Sequence, residues 1–133
     1  MGCDIHIVLE KRTENGWIAI NTFNAVQTKN GFAFPVAQSR NYRRFAALAG
    51  VRGDGPDPKG FPEDASESAK FLYNRYLSDH HSASHLSVRD ASPIFLATEH
   101  TPKKFATDYP DSWFFDVEHE EIDDHRIVFW FDN

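Results

Sequence analysis

The amino-acid sequence predicts an α+β fold with a mainly antiparallel sheet, on the strength of three observations. The first segment alternates apolar and polar residues, a tight-turn signal follows it, and the chain closes with a run of strand-forming residues. Segments with helical periodicity lie between them, and this order of elements is typical of α+β domains. We therefore expect an N-terminal hairpin and a C-terminal strand to form the sheet, with two or three short helices packed on one face.

The N-terminal hairpin begins with a strand over residues 2–10. Its odd positions are apolar from Cys3 to Leu9, whereas Asp4 and His6 fall on even positions. Because alternate side chains of a strand point to opposite faces, one face packs on a core and the other carries a polar row. Asn15-Gly16 supplies the positive φ angles of a tight turn, and residues 17–20 form the returning strand.

Three short helices are predicted from capping residues. Asn41 is a good N-cap for the first, which Gly50 ends. The clearest helix runs from about residue 65 to residue 77, with Asp64 at its N-cap. A third begins after one of two serines, Ser87 or Ser92.

The closing segment, residues 126–131, is so apolar that we expect a central strand beside the first strand. Alternation then places Trp130 on the face that bears Asp4 and His6. Residues 113–115 are predicted to be a buried segment. Residues 21–39 and 99–112 receive no assignment.

Length and composition indicate a single globular domain over residues 1–133, with 41% hydrophobic residues. One cysteine and a charged first segment fit a cytoplasmic protein, and no apolar run approaches the roughly 20 residues of a membrane span. The net charge of −6 argues against extensive nucleic-acid binding. Residues 15–53 contain five basic and no acidic residues, which is compatible with binding one small anion such as a nucleotide or phosphate.

The Asp-x-His pattern suggests a metal site. It occurs at Asp4-Ile5-His6 on the first strand and again at Asp79-His80-His81, which we expect on an extended loop after a helix. Carboxylate and imidazole suit zinc or manganese, and a catalytic metal needs about three protein ligands and an open position. A divalent metal would activate water for hydrolysis of a phosphate ester. The alternative is that His6 lies on a solvated sheet face and that the histidine run from Asp79 to His85 is a polar loop.

The basic start of the first helix is a candidate anion site. Arg40 and Asn41 precede this helix, whose N–H groups and dipole favour an anion, and Arg52 follows its end. Guanidinium groups bind phosphate in a bidentate manner. Arg43 and Arg44 are expected on the solvated face of the helix.

Two further residue types invite a chemical role. Ser82 beside His81 belongs to a His-Ser-x-Ser segment that resembles half of the paired histidine–hydroxyl motifs of two-histidine phosphoesterases. Cys3 is not expected to pair with His6, because alternation directs its thiol to the other face. Trp130 is a candidate for stacking a base, the alternative being an ordinary core residue.

The opening Met-Gly-Cys-Asp-Ile-His at 1–6 resembles a family of small uncharacterised proteins of bacteriophages and bacterial genomes. Further similarities span the chain: Arg40-Asn41-Tyr42 with residues 45 and 48–52, residues 60–62 with 64–66, the histidine–serine motif at 79–86, and the ending at 128–133. The resemblance implies a phage context and no particular activity, and it would place the protein in the host cell cytoplasm. It singles out polar groups: Asp4, His6, Arg40, Asn41, Arg52, Asp79, His81 and Ser82. His80 and His85 depart from its motif.

The leading expectation is a metal-assisted phosphoester hydrolase acting on a nucleotide or another phosphate-bearing small molecule. Its expected catalytic residues are Asp4, His6, Asp79, His81 and Ser82, of which the first four also bind the metal, and its substrate-binding residues are Arg40, Asn41, Arg52 and Trp130. The rival is a non-enzymatic phage accessory or anti-host protein that binds a host protein or sequesters a nucleotide. In a third possibility, contacts such as Asp4–Arg pin loops to the sheet.

Overall fold

A computed structural model describes residues 2–22, 26–28, 31–33, 40–75, 79–98 and 119–133 of the chain. Its elements, in order, are β1 (Asp4–Thr13), β2 (Gly16–Thr22), β3 (Val26–Thr28), β4 (Gly31–Ala33), α1 (Tyr42–Ala49), α2 (Glu67–Arg75), β5 (His80–Ser87), α3 (Val88–Ala97), a 3-10 helix (His119–Asp124) and β6 (His125–Asp132). The predicted buried segment 113–115 lies outside the described residues.

The main sheet has four antiparallel strands in the order β2-β1-β6-β5, and a separate two-stranded ribbon pairs β3 with β4. The predicted α+β class is therefore confirmed, as are the N-terminal hairpin and the place of the closing strand beside the first. Seven of the eight residues of β6 are buried, so both of its faces are covered, as expected for a central strand.

Helices cover both faces of this sheet, where the sequence led us to expect them on one. The odd residues of β1 pack with α1 and α3 around Phe45, Phe95 and Phe129; we call this the α1/α3 face. The other side is the α2 face, where Val8 and Trp130 pack against α2 and the segment before it. Apolar residues on the even positions of β1 and β6 create this second core, and they need a helix to exclude water.

The histidine run is an edge strand, so the alternative prediction of a polar loop is wrong. β5 pairs with β6 along its length, with a bulge between His81 and Ser84. His and Ser are weak strand formers, and pairing with an apolar neighbour outweighs that local preference. The loop before α2 runs along β5, because the Gly60 N–H donates to the Ala83 carbonyl at 2.8 Å.

The helix caps agree with prediction in part. Asn41 caps α1, and Gly50 ends it with a left-handed φ of 71°. Ser87 caps α3, so the Ser92 alternative is wrong. Asp64 does not cap α2, because Ser66 accepts the Ala69 N–H at 3.2 Å in that role. In the part of the chain that the structure describes, no helix is long and apolar enough to cross a membrane.

Candidate functional site

Three strand ends meet at one end of the main sheet and bring polar residues together. β1 and β5 begin there and β6 ends there, so that Asp4, Asp132 and His80 lie opposite one another on adjacent strands. Directly opposed residues share a face, and this row lies on the α2 face beside the His6–Trp130 pair. We call Asp4, His6, His80 and Asp132 the polar row.

His6 and Asp132 form the closest polar contact of this row. His6 Nε2 is hydrogen-bonded to Asp132 Oδ2, and the two side chains are 24% and 34% exposed. The His6 ring stacks on Trp130, with centroids 5.6 Å apart and planes 21° apart. A carboxylate on one nitrogen and an indole under the ring hold the imidazole in one orientation, which is the arrangement of a general acid–base group.

Asp4 and Arg40 form a half-exposed ion pair next to this contact. Arg40 Nε donates to Asp4 Oδ1 at 2.9 Å, and this hydrogen bond raises the pKa of the Arg40 guanidinium above its usual value. Gly2 makes room for it, since a Cβ atom on Gly2 would lie 2.0 Å from Arg40 Cζ. The contact joins the segment before α1 to the start of β1, as expected for a structural pin, and it places a fixed cation beside the polar row.

Asn41 and Arg44 tie α1 to the end of α3. The Asn41 side chain accepts the Arg44 N–H at 3.1 Å and donates to the Thr98 carbonyl at 2.6 Å. Arg44 is buried rather than solvated, so its expected place on the wet face is wrong: it donates to Thr98 Oγ1 and to the Phe95 carbonyl, both at 2.9 Å. A positive side chain is stabilised at the carbonyl end of a helix, which explains why the Arg44 guanidinium turns inward.

Arg52 lies beside the start of β1, over the ring of Tyr42. Its Cζ atom is 4.8 Å from the ring centroid, and the Tyr42 hydroxyl accepts the Cys3 N–H at 3.3 Å. Burial raises the pKa of the Cys3 thiol, which lies in the α1/α3 core and away from His6, as alternation predicted. Arg40 and Arg52 thus approach the same strand end.

His81 and Ser82 do not join the polar row. His81 lies opposite Phe131, and its ring stacks on the Phe131 ring at 6.1 Å on the α1/α3 face. His81 Nδ1 is 2.9 Å from Ser82 Oγ. The predicted metal ligands therefore divide, because Asp4 and His6 face α2 whereas His81 faces α1 and α3.

The described residues contain no group of three or more His, Cys, Asp and Glu side chains arranged to hold a metal ion. Asp79 is exposed just before β5. The zinc or manganese site predicted from sequence stays a prediction. The polar row is the part of it that the strand pairing brings together.

Backbone conformation marks the same end of the sheet. Within the described residues, three residues other than glycine have positive φ: Arg52 at 57°, Asp79 at 72° and Ser82 at 56°. All three were selected from the sequence as candidate site residues. Left-handed conformations in non-glycine residues tend to persist where function retains them.

Trp130 lies on the same face as Asp4 and His6, as predicted, but at the centre of an aromatic cluster. It is only 4% exposed, and the edges of Tyr73 and Phe61 meet it at 5.3 and 6.1 Å between centroids. The Trp130 ring is therefore covered by its neighbours, with the His6 ring stacked on it. Its proposed role as a stacking platform stays a prediction.

Sequence reasoning missed Asp132, Asn133 and the position of His80. Asp132 follows Trp130 by two residues, so alternation along β6 already placed both on one face. His80 and Asn133 gave no usable signal, because their places depend on the unforeseen pairing of β5 with β6. Comparison of the chain with protein-family models, with curated proteins and with solved structures finds no match.

Proposed function

We propose that the protein hydrolyses a phosphoester of a nucleotide or another phosphate-bearing small molecule, with His6 and Asp132 as its acid–base pair. The observation that carries the proposal is the hydrogen bond between His6 Nε2 and Asp132 on a partly exposed surface. Asp132 orients the ring while water attacks phosphorus, gives a proton to His6 and displaces the leaving oxygen as the ester P–O bond breaks. His6 then returns this proton to the leaving oxygen.

Arg40 would bind the phosphate group of the substrate and stabilise its negative charge. Its bond to Asp4 uses one of five guanidinium N–H donors, so the group can also bind phosphate oxygens. Arg52 approaches the same strand end and adds a second cation. Fixed positive charge beside the acid–base pair would stabilise the charge that develops on a transferred phosphoryl group.

A divalent cation, zinc or manganese, belongs to the proposal as a partner of Asp4 and Asp132. These carboxylates oppose each other across β1 and β6, so a cation between them would have two protein ligands and would complete its coordination with water and substrate phosphate oxygens, while His6 keeps its acid–base role. Binding requires Asp4 to turn away from Arg40, which its half-exposed position allows. The cation would supply a water of lowered pKa and shield phosphate charge.

The test is hydrolysis of a panel of nucleotides and aryl phosphates by untagged protein, with Mn²⁺ or Zn²⁺ and with a chelator. His6→Asn and Asp132→Asn should each lower kcat/KM by about 100-fold or more. Asp124→Asn is the matched control, because Asp124, like Asp132, is a partly exposed carboxylate that accepts a side-chain hydrogen bond, in its case from Arg12 at 3.0 Å.

Absence of turnover on the whole panel, or full activity in His6→Asn, would overturn the hydrolase proposal. Nucleotide binding without turnover would support sequestration in its place. Elemental mass spectrometry before and after chelation tests the metal separately. Failure to retain a cation would overturn the metal-binding role of Asp4 and Asp132 and leave the acid–base role of His6 and Asp132 unaffected.

A second candidate function, binding of a host protein, is favoured by the exposed face of β2. Ile18 and Ile20 are each 48% exposed, and β2 is an edge strand of the main sheet as described. A partner could extend the sheet and cover both isoleucines. Capture of a host protein by the wild type, lost in Ile18→Lys/Ile20→Lys, would support this function. Equal capture by both proteins would contradict it.

A further inference from the structure

The α1/α3 face of the same sheet end carries a second set of reactive groups, separate from the polar row. Ser82 Oγ lies 2.9 Å from His81 Nδ1, and His81 Nε2 lies 3.3 Å from Asn133 Oδ1. The His81 ring is stacked on Phe131 with planes 24° apart, which restrains its rotation. Hydrogen-bond contacts therefore connect the Ser82 hydroxyl, the His81 imidazole and the Asn133 amide oxygen in sequence.

The two hydrogen-bond partners of His81 indicate which of its ring nitrogens carries the proton. With the Asn133 amide oxygen as acceptor, the His81 tautomer that fits both contacts carries its proton on Nε2. His81 Nδ1 is then unprotonated and accepts the hydroxyl proton of Ser82. This is the state in which an imidazole can act as a general base toward a serine.

The backbone at Ser82 adds an independent observation. Ser82 lies within the β5 bulge between His81 and Ser84, with a φ of 56°. A bulge turns a side chain out of the regular ladder, and bulges are over-represented next to active sites. A left-handed φ is disfavoured for serine, so the fold holds this hydroxyl beside His81 against its local preference.

We propose that Ser82 is the nucleophile of a carboxylic-ester hydrolase centre, with His81 as its general base and Asn133 as a positioning residue. Ser82 Oγ attacks the ester carbonyl carbon while its proton passes to His81 Nδ1. The bond to the alkoxy group breaks, and the alcohol leaves with that proton. Water then attacks the acyl-serine, gives a proton to His81, and releases the carboxylic acid as His81 returns the proton to Ser82. This centre does not depend on the phosphoester proposal, because its residues lie on the opposite sheet face.

The probe for this centre is an alkyl fluorophosphonate. Ser82 Oγ would attack phosphorus, the P–F bond would break with loss of fluoride, and the proton would pass to His81. Intact mass and peptide mapping should show one adduct, on Ser82. Ser82→Ala should abolish it, and His81→Asn should slow labelling by about 100-fold. Ser68→Ala, which removes an exposed serine of α2, is the control and should label at the wild-type rate.

The positioning role of Asn133 predicts that its removal slows labelling and that a substitute with an acceptor oxygen rescues it. Asn133→Ala removes the acceptor on His81 Nε2 and should slow fluorophosphonate labelling of Ser82, whereas Asn133→Asp keeps an acceptor oxygen there and should restore the rate. Wild-type labelling of Asn133→Ala would show that Asn133 plays no part.

An adduct elsewhere, no adduct, or wild-type labelling of His81→Asn would each overturn the proposal. Ser82→Gly, which suits a positive φ, replaces Ser82→Ala should the alanine variant not fold.

Discussion

Glu10 and Arg126 form an ion pair across β1 and β6 that is almost completely shielded from water. Arg126 Nε donates to Glu10 Oε1 at 2.7 Å, and the side chains are 8% and 0% exposed. The Ser66 N–H donates to the other carboxylate oxygen at 2.6 Å, and Arg126 also reaches Asp64 Oδ1 at 3.0 Å. This network fastens the start of α2 to the sheet, so it determines how the α2 face is covered beside the polar row.

Removing one member of this pair should be costly. Glu10→Ala leaves Arg126 without its buried partner, and we expect the free energy of unfolding to fall by about 3–5 kcal/mol in urea titrations. Asp124→Ala removes the carboxylate of an exposed pair and should cost at most about 1 kcal/mol. Equal losses in the two variants would show that burial of the Glu10 pair is unimportant.

The sheet could be predicted because its signals are local. Alternation in β1 and the apolar closing strand each depend on neighbouring residues, and both are confirmed. The hairpin turn forms where predicted, but Thr13 pairs with Gly16, and of the Asn15-Gly16 pair Gly16 has the positive φ, 109°, whereas Asn15 does not. β5 was missed because its stability comes from pairing with β6 and not from its own residues. The division of helices between the two faces follows from Val8 and Val128, whose even positions make the second face apolar.

The part of the candidate site on β1 and β6 could be predicted, because alternation along a strand is a local signal. Alternation placed Asp4, His6 and Trp130 on one face, and the structure confirms it. His81 was grouped with them because residues 79–85 were interpreted as a loop, which has no fixed facing. Once that segment is a strand, its pairing with Phe131 sends His81 to the other face.

His85 should make stability depend on pH. Burial, with the nearby charges of Lys59 and Arg126, lowers its pKa below the usual 6.5. His85 therefore binds a proton more readily in the unfolded state than in the folded state. Its contribution to the free energy of unfolding is complete above pH 6.5 and is lost as the pH falls from there through the folded-state pKa. Urea titrations from pH 8 to pH 5 should show a smaller decline in His85→Gln than in the wild type. Parallel curves for the two proteins would contradict this assignment.

Asp79 offers a way to separate backbone preference from function. Its φ of 72° is left-handed, which disfavours most residues by about 1–2 kcal/mol, whereas glycine loses about 0.5–1 kcal/mol through entropy. Asp79→Gly should therefore be neutral or raise the free energy of unfolding by up to about 1 kcal/mol, and Asp79→Ala should not raise it. If Asp79 takes part in catalysis, phosphoester turnover falls in the glycine variant although the fold is no less stable. Wild-type turnover would remove Asp79 from the catalytic set.

Gly2 limits where the Arg40 side chain can lie, so a substitution at Gly2 tests the proposed phosphate-binding role of Arg40. A methyl group on Gly2 would meet Arg40 Cζ at 2.0 Å, so the flexible arginine must move away from Asp4. We expect Gly2→Ala to leave the unfolding transition unchanged and to weaken binding of inorganic phosphate, measured by isothermal titration, about as much as Arg40→Ala does. Because both changes act through one guanidinium group, the double variant should bind no more weakly than Arg40→Ala. Additive losses would show that Gly2 acts on the site by another route.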